Sequence, residues 1–311
     1  MAKVIGTGET VTDIIIRNGQ PETMVCGGSC FNSMISLGRA GVESVFIGQV
    51  GGDRLGLQTR DFLEANGVSA EYLRVMPGQK SQLSLAFLNE KNDAEYVFYK
   101  DHAADIFPDA LPPVEHGDVV LYGSFFALND LIHPALSAFL STASERGALI
   151  YYDVNFRASH LADKERLAGE MLDNFQKATL VRGSDEDFLN IFGTADAAEV
   201  YAKIRPHCEN LIITRGGKSF SVITPSFTKD YDVPAAQVVS TIGAGDSFNA
   251  GFVYGIVSRG ITAAQLPTLA PSDWDFLTSM AQRFSLEVCG TTDNYISAAT
   301  GNVLKAQSRN L

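Results

Sequence analysis

Ser240-Thr241-Ile242-Gly243-Ala244-Gly245-Asp246-Ser247-Phe248 is the stretch on which the reading of this chain turns. It follows the apolar pair Val238-Val239 and opens an apolar helical run through Gly251, Phe252, Val253 and Ile256. Small residues at 243–245 let consecutive backbone N–H groups point into one concavity, where the helix dipole favours an anion. During phosphoryl transfer negative charge spreads over the moving group, and preorganised N–H donors stabilise it. A carboxylate beside that cradle takes a proton from an attacking hydroxyl. Gly243, Ala244 and Gly245 are therefore the candidate anion hole and Asp246 the candidate catalytic base. By itself the segment also fits a glycine-rich turn with Asp246 as an ordinary helix cap.

Outward from this segment, short apolar strands alternate with amphipathic helical stretches, which predicts an α/β fold with a parallel sheet wrapped by helices. Strands are expected at 44–50, 118–122, 148–153, 178–181 and 211–214, and helices at 31–40, 55–66, 134–146, 197–204, 247–257 and 274–288. Ligands in such sheets sit beyond the carboxyl ends of the strands. Two regions break the alternation. Val11–Arg17 reads as a strand, and the β-rich runs 81–88 and 95–100 flank the polar cluster Asn89-Glu90-Lys91-Asn92-Asp93, a hairpin signal. Together, 11–17 and 81–100 are expected to form a small β-sheet lid that keeps water from a reacting phosphate. No linker divides 1–311, so one domain is expected.

A second constellation lies near the N-terminus. Cys26-Gly27-Gly28-Ser29-Cys30-Phe31-Asn32 precedes a helix. Paired glycines there let a ligand approach the backbone, and Asn32 can donate and accept hydrogen bonds to hydroxyls. Gly216-Gly217-Lys218-Ser219 imitates a P-loop end, but Ile212 and Ile213 sit where its first glycine belongs and a strand-like run follows. Ile5-Gly6-Thr7-Gly8 imitates a dinucleotide fingerprint, but Val11 takes the third glycine's place.

Composition narrows the function classes. The chain has 311 residues, 45% of them hydrophobic, enough for a sizeable core, and a formal charge of −12. That charge argues against a nucleic-acid backbone as partner, since no basic face would release its counterions. No export signal follows Met1-Ala2-Lys3, and no apolar run nears the roughly 20 residues of a membrane helix. The four cysteines, Cys26, Cys30, Cys208 and Cys289, lack zinc-site spacing and are expected as free thiols in a reducing cytoplasm.

The Gly-Gly-x-x-x-Asn and Thr-x-Gly-Ala-Gly-Asp segments together resemble the PfkB/ribokinase family of sugar kinases. The resemblance spans nearly the whole chain and implies a three-layer αβα ribokinase-like fold with a mostly parallel central sheet and a small β lid. It implies an ATP-dependent kinase that phosphorylates a primary hydroxyl of a small sugar, with Mg2+ on the phosphates. It assigns sugar contacts to Asp13, Gly27, Gly28 and Asn32. Phe98-Tyr99-Lys100 followed by Ala103-Ala104-Asp105 resembles the lid junction of fructokinase-like members and adds Lys100. Asp153-Val154-Asn155-Phe156-Arg157 looks like their Asp-Pro-Asn-x-Arg strand end and adds Arg157. Thr214 and Gly216 fall where the family's Thr-x-Gly meets the nucleotide.

Two departures matter. Ser184 and Asp187, in Arg182-Gly183-Ser184-Asp185-Glu186-Asp187, are shorter versions of the family's magnesium-organising Asn-x-x-Glu. They keep a nucleotide-side role, with metal held through water; no metal ligand set is assigned. Ser240 replaces an Asp that helps hold a monovalent cation, so K+ activation is expected to be weak. Fructose is the first expectation for the substrate; ribose, 2-keto-3-deoxygluconate and nucleosides are handled by the same fold. The rival classes are a catalytically silent sugar- or nucleotide-binding protein and an NAD-dependent oxidoreductase. The resemblance also implies a homodimer through the lid.

Overall fold

The computed structural model describes residues 2–89, 94–100 and 107–308. Residues 90–93 of the hairpin turn, His102 and Ala103-Ala104-Asp105 lie outside the described residues. In chain order the strands are β1 (Val4–Thr7), β2 (Val11–Arg17), β3 (Gln20–Gly27), β4 (Ser44–Gly51), β5 (Val68–Ser69), β6 (Leu73–Met76), β7 (Leu83–Leu88), β8 (Ala94–Tyr99), β9 (Val119–Gly123), β10 (Leu149–Asp153), β11 (Leu180–Ser184), β12 (Leu211–Arg215), β13 (Ser219–Ile223) and β14 (Thr228–Asp232). The α-helices are α1 (Ser29–Arg39), α2 (Arg54–Ala65), α3 (His133–Glu145), α4 (Ala168–Lys177), α5 (Asp185–Phe192), α6 (Ala197–Ile204), α7 (Ala244–Arg259), α8 (Pro271–Cys289) and α9 (Ala298–Ser308).

The central sheet runs β14-β13-β12-β11-β10-β9-β1-β4-β5, with β6 also on β4. From β12 to β5 every pairing is parallel, and β13 and β14 close one edge antiparallel. Successive side chains of a strand face opposite sides, so one sheet serves two cores. Leu149 and Tyr151 of β10 join α1, α7 and α8 residues on one side; Ile150 and Tyr152 join α3 and α4 residues on the other. Three layers result. α7 is buried along its whole middle, from Ser247 to Ile256, which is why its sequence is apolar all round.

The small sheet joins the strands expected at 11–17, 81–88 and 95–100 and adds one more. Its order is β3-β2-β7-β8: β2 pairs antiparallel with β3 and parallel with β7, and β7 and β8 form the hairpin. Asp53, the side-chain cap of α2, ties this region to the body by accepting from the Ser81 backbone N–H at 2.9 Å and its hydroxyl at 2.6 Å.

Both decoy glycine motifs acquire a structural reason. Gly216-Gly217 makes the turn between β12 and β13, which pair antiparallel. A Cβ at Gly6 would lie 2.4 Å from Met34 Cγ, and one at Gly8 would lie 2.8 Å from Cys30 Cβ. Gly6 in β1 and Gly8 just after it therefore make room for Met34 and Cys30 of α1.

Candidate active site

Two helix starts meet at the carboxyl ends of β1 and β9–β12. α1 begins at Gly28, whose φ of 127° and whose missing Cβ, which would stand 2.2 Å from the Glu9 carbonyl, only glycine tolerates. α7 begins at Gly243, in the left-handed region at φ 77°, packed against the Asn294 backbone. Neither helix has a side-chain cap. The Ala244 N–H turns back to the Thr241 carbonyl at 3.2 Å, so the cradle's unspent donors are the N–H groups of Gly243, Gly245 and Asp246.

Asp246 is held by α1. Its Oδ1 accepts from the Ser29 hydroxyl at 2.8 Å and its Oδ2 from Asn32 Nδ2 at 2.8 Å. The Ser33 hydroxyl donates to the Asp246 backbone carbonyl at 2.8 Å. Crowding by protein pushes the Asp246 carboxyl up to about 6, a rise that the nearby Asp153 charge adds to and that hydrogen bonds from Asn32 and Ser29, and Arg157, oppose. A carboxylate poised there is a competent base near neutral pH.

Behind the cradle lies a buried ion pair absent from the sequence reading. Arg182 on β11 donates from Nη1 to Asp153 Oδ1 at 2.9 Å and from Nη2 to the Thr214 hydroxyl at 2.8 Å. Asp153 Oδ2 is 3.4 Å from the Ser29 hydroxyl. Arg182 is thus the partner of Asp153, and Arg157 stays exposed within Coulomb range of Asp246. The signal in the sequence was a lone charge in the middle of the otherwise uncharged strand Leu180–Ser184.

Asp13 on β2 faces the same cleft from the small sheet. Its Oδ1 accepts from the Ser84 hydroxyl, burial pushes its carboxyl up, and its Oδ2 lies 2.8 Å from where a Gly27 Cβ would be. Gly27 also faces Asn294 Nδ2, 3.8 Å from that point, and the Asn294 backbone packs on Gly243. Asp13, Gly27, Gly28, Asn32 and the 243–246 segment therefore come together, with Asn294 as a joint the sequence did not reveal. Lys100 bonds Glu9 at 3.0 Å, beside Gly28. His160 stacks on Phe125 at 4.0 Å between ring centroids, near Glu9 and Lys100.

The nucleotide-side residues divide. Thr214 is joined to the site through Arg182, whereas Gly216 sits in an exposed turn with open space around it. Ser184 and Asp187 satisfy each other as a capping box: the Ser184 hydroxyl accepts from the Asp187 N–H at 3.1 Å, and Asp187 Oδ2 from the Ser184 N–H at 2.7 Å. The Ser240 hydroxyl accepts from the Ile242 N–H at 3.2 Å and shapes the approach to the cradle. Among the described residues no group of three or more His, Cys, Asp or Glu could hold a metal ion.

Comparison with known proteins shows the family. Residues 1–267 match the model of the pfkB family carbohydrate kinases. A probable fructokinase-4 from Arabidopsis thaliana is 30% identical over 248 residues, which are 77% of this chain and 75% of that protein. The structure of a fructokinase with bound ATP from Xylella fastidiosa superposes with a TM-score of 0.83 at 20% identity, over 99% of this chain and all of that one. An aminoimidazole riboside kinase from Salmonella enterica, complexed with its riboside and an ATP analog, gives 0.80 at 19% identity over 97% and 99% of the two chains.

Proposed function

Because the chain belongs to the pfkB family of carbohydrate kinases, we propose that it transfers the γ-phosphate of ATP to a primary hydroxyl of a small ketose or furanose sugar, fructose first. The observation that carries this reading is the Asp246 carboxylate, gripped by Ser29 and Asn32 beside an uncapped helix start. The sugar lies between Asp13, Gly27 and Gly28 on one side and Asp246 on the other. As its hydroxyl oxygen attacks the γ-phosphorus, the O–H bond breaks toward Asp246 and ADP leaves with the bridging oxygen. The N–H groups of Gly243, Gly245 and Asp246 meet the charge on the transferred group. Asn32 acts here chiefly on the base, and its Oδ1 is buried without a hydrogen-bond partner.

Magnesium, when bound, would neutralise phosphate charge; among the described residues no carboxylate cage would hold it, so its contacts to the protein would run through water. Asp187 keeps one carboxylate oxygen for such a water. With the Ser240 hydroxyl spent on Ile242, K+ activation is weak. No helix among the described residues is long and apolar enough to cross a membrane, and all four cysteines are free, which supports a cytoplasmic setting. Exposed Met24, Phe87, Val97, Phe98 and Tyr99 on the small sheet support a homodimer through that sheet.

The test is ATP consumption across a panel of fructose, ribose, 2-keto-3-deoxygluconate and nucleosides, with an NAD-reduction control. Turnover highest with fructose is expected. ATP consumption with none of them overturns the reading.

A further inference from the structure

Arg182 is a buried cation beside the site that the reaction as written leaves unused. It is buried at 8% exposure, and the Nη1/Nη2 edge of its guanidinium stands behind the anion cradle at Gly245. Both terminal nitrogens lie 3.2 Å from where a Cβ on Gly245 would be, so any larger residue at 245 would press on the guanidinium. The same group is 5.7 Å from the Phe248 ring in the next part of α7. Its Nη1 fixes Asp153, and Asp153 stands 3.4 Å from the hydroxyl of Ser29, which holds the base at 2.8 Å. One cation thus reaches both halves of the proposed reaction.

We propose that Arg182 is a positioning residue for phosphoryl transfer, which backs the anion cradle at Gly245 with positive charge and, through Asp153 and Ser29, keeps the base in place and ionised. The inference rests on the sugar-kinase reading. Electrostatics gives it a sign. The charges and titratable groups around the base are Cys30 from α1, Tyr151 and Asp153 from β10, Arg157 after it, Arg182 from β11, and Asp187 from α5. Asp153 disfavours a second negative charge on Asp246, and the Arg182 cation offsets Asp153 at 2.9 Å. Without Arg182 that repulsion acts in full, and the base protonates at higher pH. The transferred group also loses a cation where its charge builds.

The experiment measures kcat, sugar KM and the pH dependence of kcat/KM for the wild type, Arg182→Met, Arg182→Lys and the double variant Arg182→Met with Asp153→Asn. Arg182→Met should lower kcat about a hundredfold, the scale of losing one electrostatic donor, and change sugar KM less than about threefold. Its acid limb should move up by about one pH unit. Arg182→Lys should recover to within about tenfold of the wild type, since a lysine keeps the charge without the fork. Should Arg182→Met fail to fold with Asp153 left unpaired, the double variant decides, because it removes both charges. It should fold, return the acid limb to the wild-type position or below, and keep kcat at least about tenfold low. A double variant with wild-type kcat, or an Arg182→Met acid limb that does not move, overturns the proposal. A wild type that phosphorylates no sugar instead defeats the kinase reading beneath it.

Discussion

The starts of α7 and α5 carry an aspartate at the same helical position, the third residue after the cap, and the two aspartates do opposite things. At α5 the cap is Ser184, and Asp187 folds back onto the Ser184 N–H to close a capping box. At α7 the cap is Gly243, which offers no side chain, and Asp246 reaches across to Ser29 and Asn32, 217 and 214 residues away in sequence. Burial raises the proton affinity of both carboxyls. Burial alone therefore does not mark the functional one. The cap residue decides: a serine satisfies the first-turn donors locally, and a glycine leaves donors and carboxylate free for a ligand.

The sharpest attempt to break this contrast is to neutralise each aspartate. Asp246→Asn should lower kcat by about two to four orders of magnitude, the range for losing a general base. Asp187→Asn should cost less than about tenfold, since it alters only a cap and one oxygen near the phosphates. Equal losses would erase the distinction. Stability supplies an independent sign. The Asp246 carboxyl titrates at about 6 folded against 3.8 as an ordinary group, so its ionised form opposes folding. That penalty is absent below the ordinary value and complete above the raised one. Asp246→Asn should then stabilise the protein by about 1–3 kcal/mol at pH 8 and by little at pH 4, read from thermal melts.

A third buried carboxylate sharpens the comparison, because Asp13 sits on a strand with no helix start to serve. The sugar contact proposed for Asp13 predicts that Asp13→Ala weakens sugar affinity about ten- to a hundredfold, from losing charge-assisted hydrogen bonds of about 1.5–3 kcal/mol. ATP affinity should hold, which separate titrations of the two ligands would show. Unchanged sugar affinity removes Asp13 from the site; an equal loss of both ligands signals misfolding.

The contrast was half legible in the sequence. Gly243-Ala244-Gly245-Asp246 announced an uncapped helix start, and the strand–helix alternation led to the parallel sheet, because fully buried strands are uniformly apolar. Ser184-Asp185-Glu186-Asp187 was equally plain as a cap but was assigned to magnesium by resemblance. β3 and β14 escaped because exposed strands lack an apolar code: β3 holds Pro21 and Glu22, and β14 reads Thr-Lys-Asp-Tyr-Asp. Ser29 and Asn294 escaped for another reason. Their partners lie far along the chain, and only the meeting of α1 with α7 gives them meaning.

A smaller effect probes how Asp246 is held. The base must be ionised, so kcat/KM is full above the raised pKa and lost as pH falls through about 6, with a one-proton slope. Asn32 donates to the ionised form and lowers its proton affinity, so Asn32→Ala should move that acid limb up, by about half a unit to one unit. A limb that stays put would mean that the hydrogen bond to Asn32 holds geometry and nothing else.

The smallest effect is expected at Ser184, and it decides whether the α5 start is closed or catalytic. In Ser184→Ala the Asp187 N–H loses its acceptor at 3.1 Å, while Asp187 can still accept from the residue 184 N–H at 2.7 Å. Losing a serine N-cap costs about 1 kcal/mol, which in a chain of this size lowers Tm by roughly 2 °C. If the capping box serves only α5, kcat and the magnesium dependence of the rate should match the wild type once the melting loss is allowed for. If Ser184 also helps organise a metal-bound water, as its place in the sequence first implied, half-saturation by magnesium should shift upward severalfold in addition to the melting loss. Measured together, the melt reads the loss of the cap and the magnesium titration alone decides whether Ser184 does more, because a pure cap leaves half-saturation by magnesium where it was.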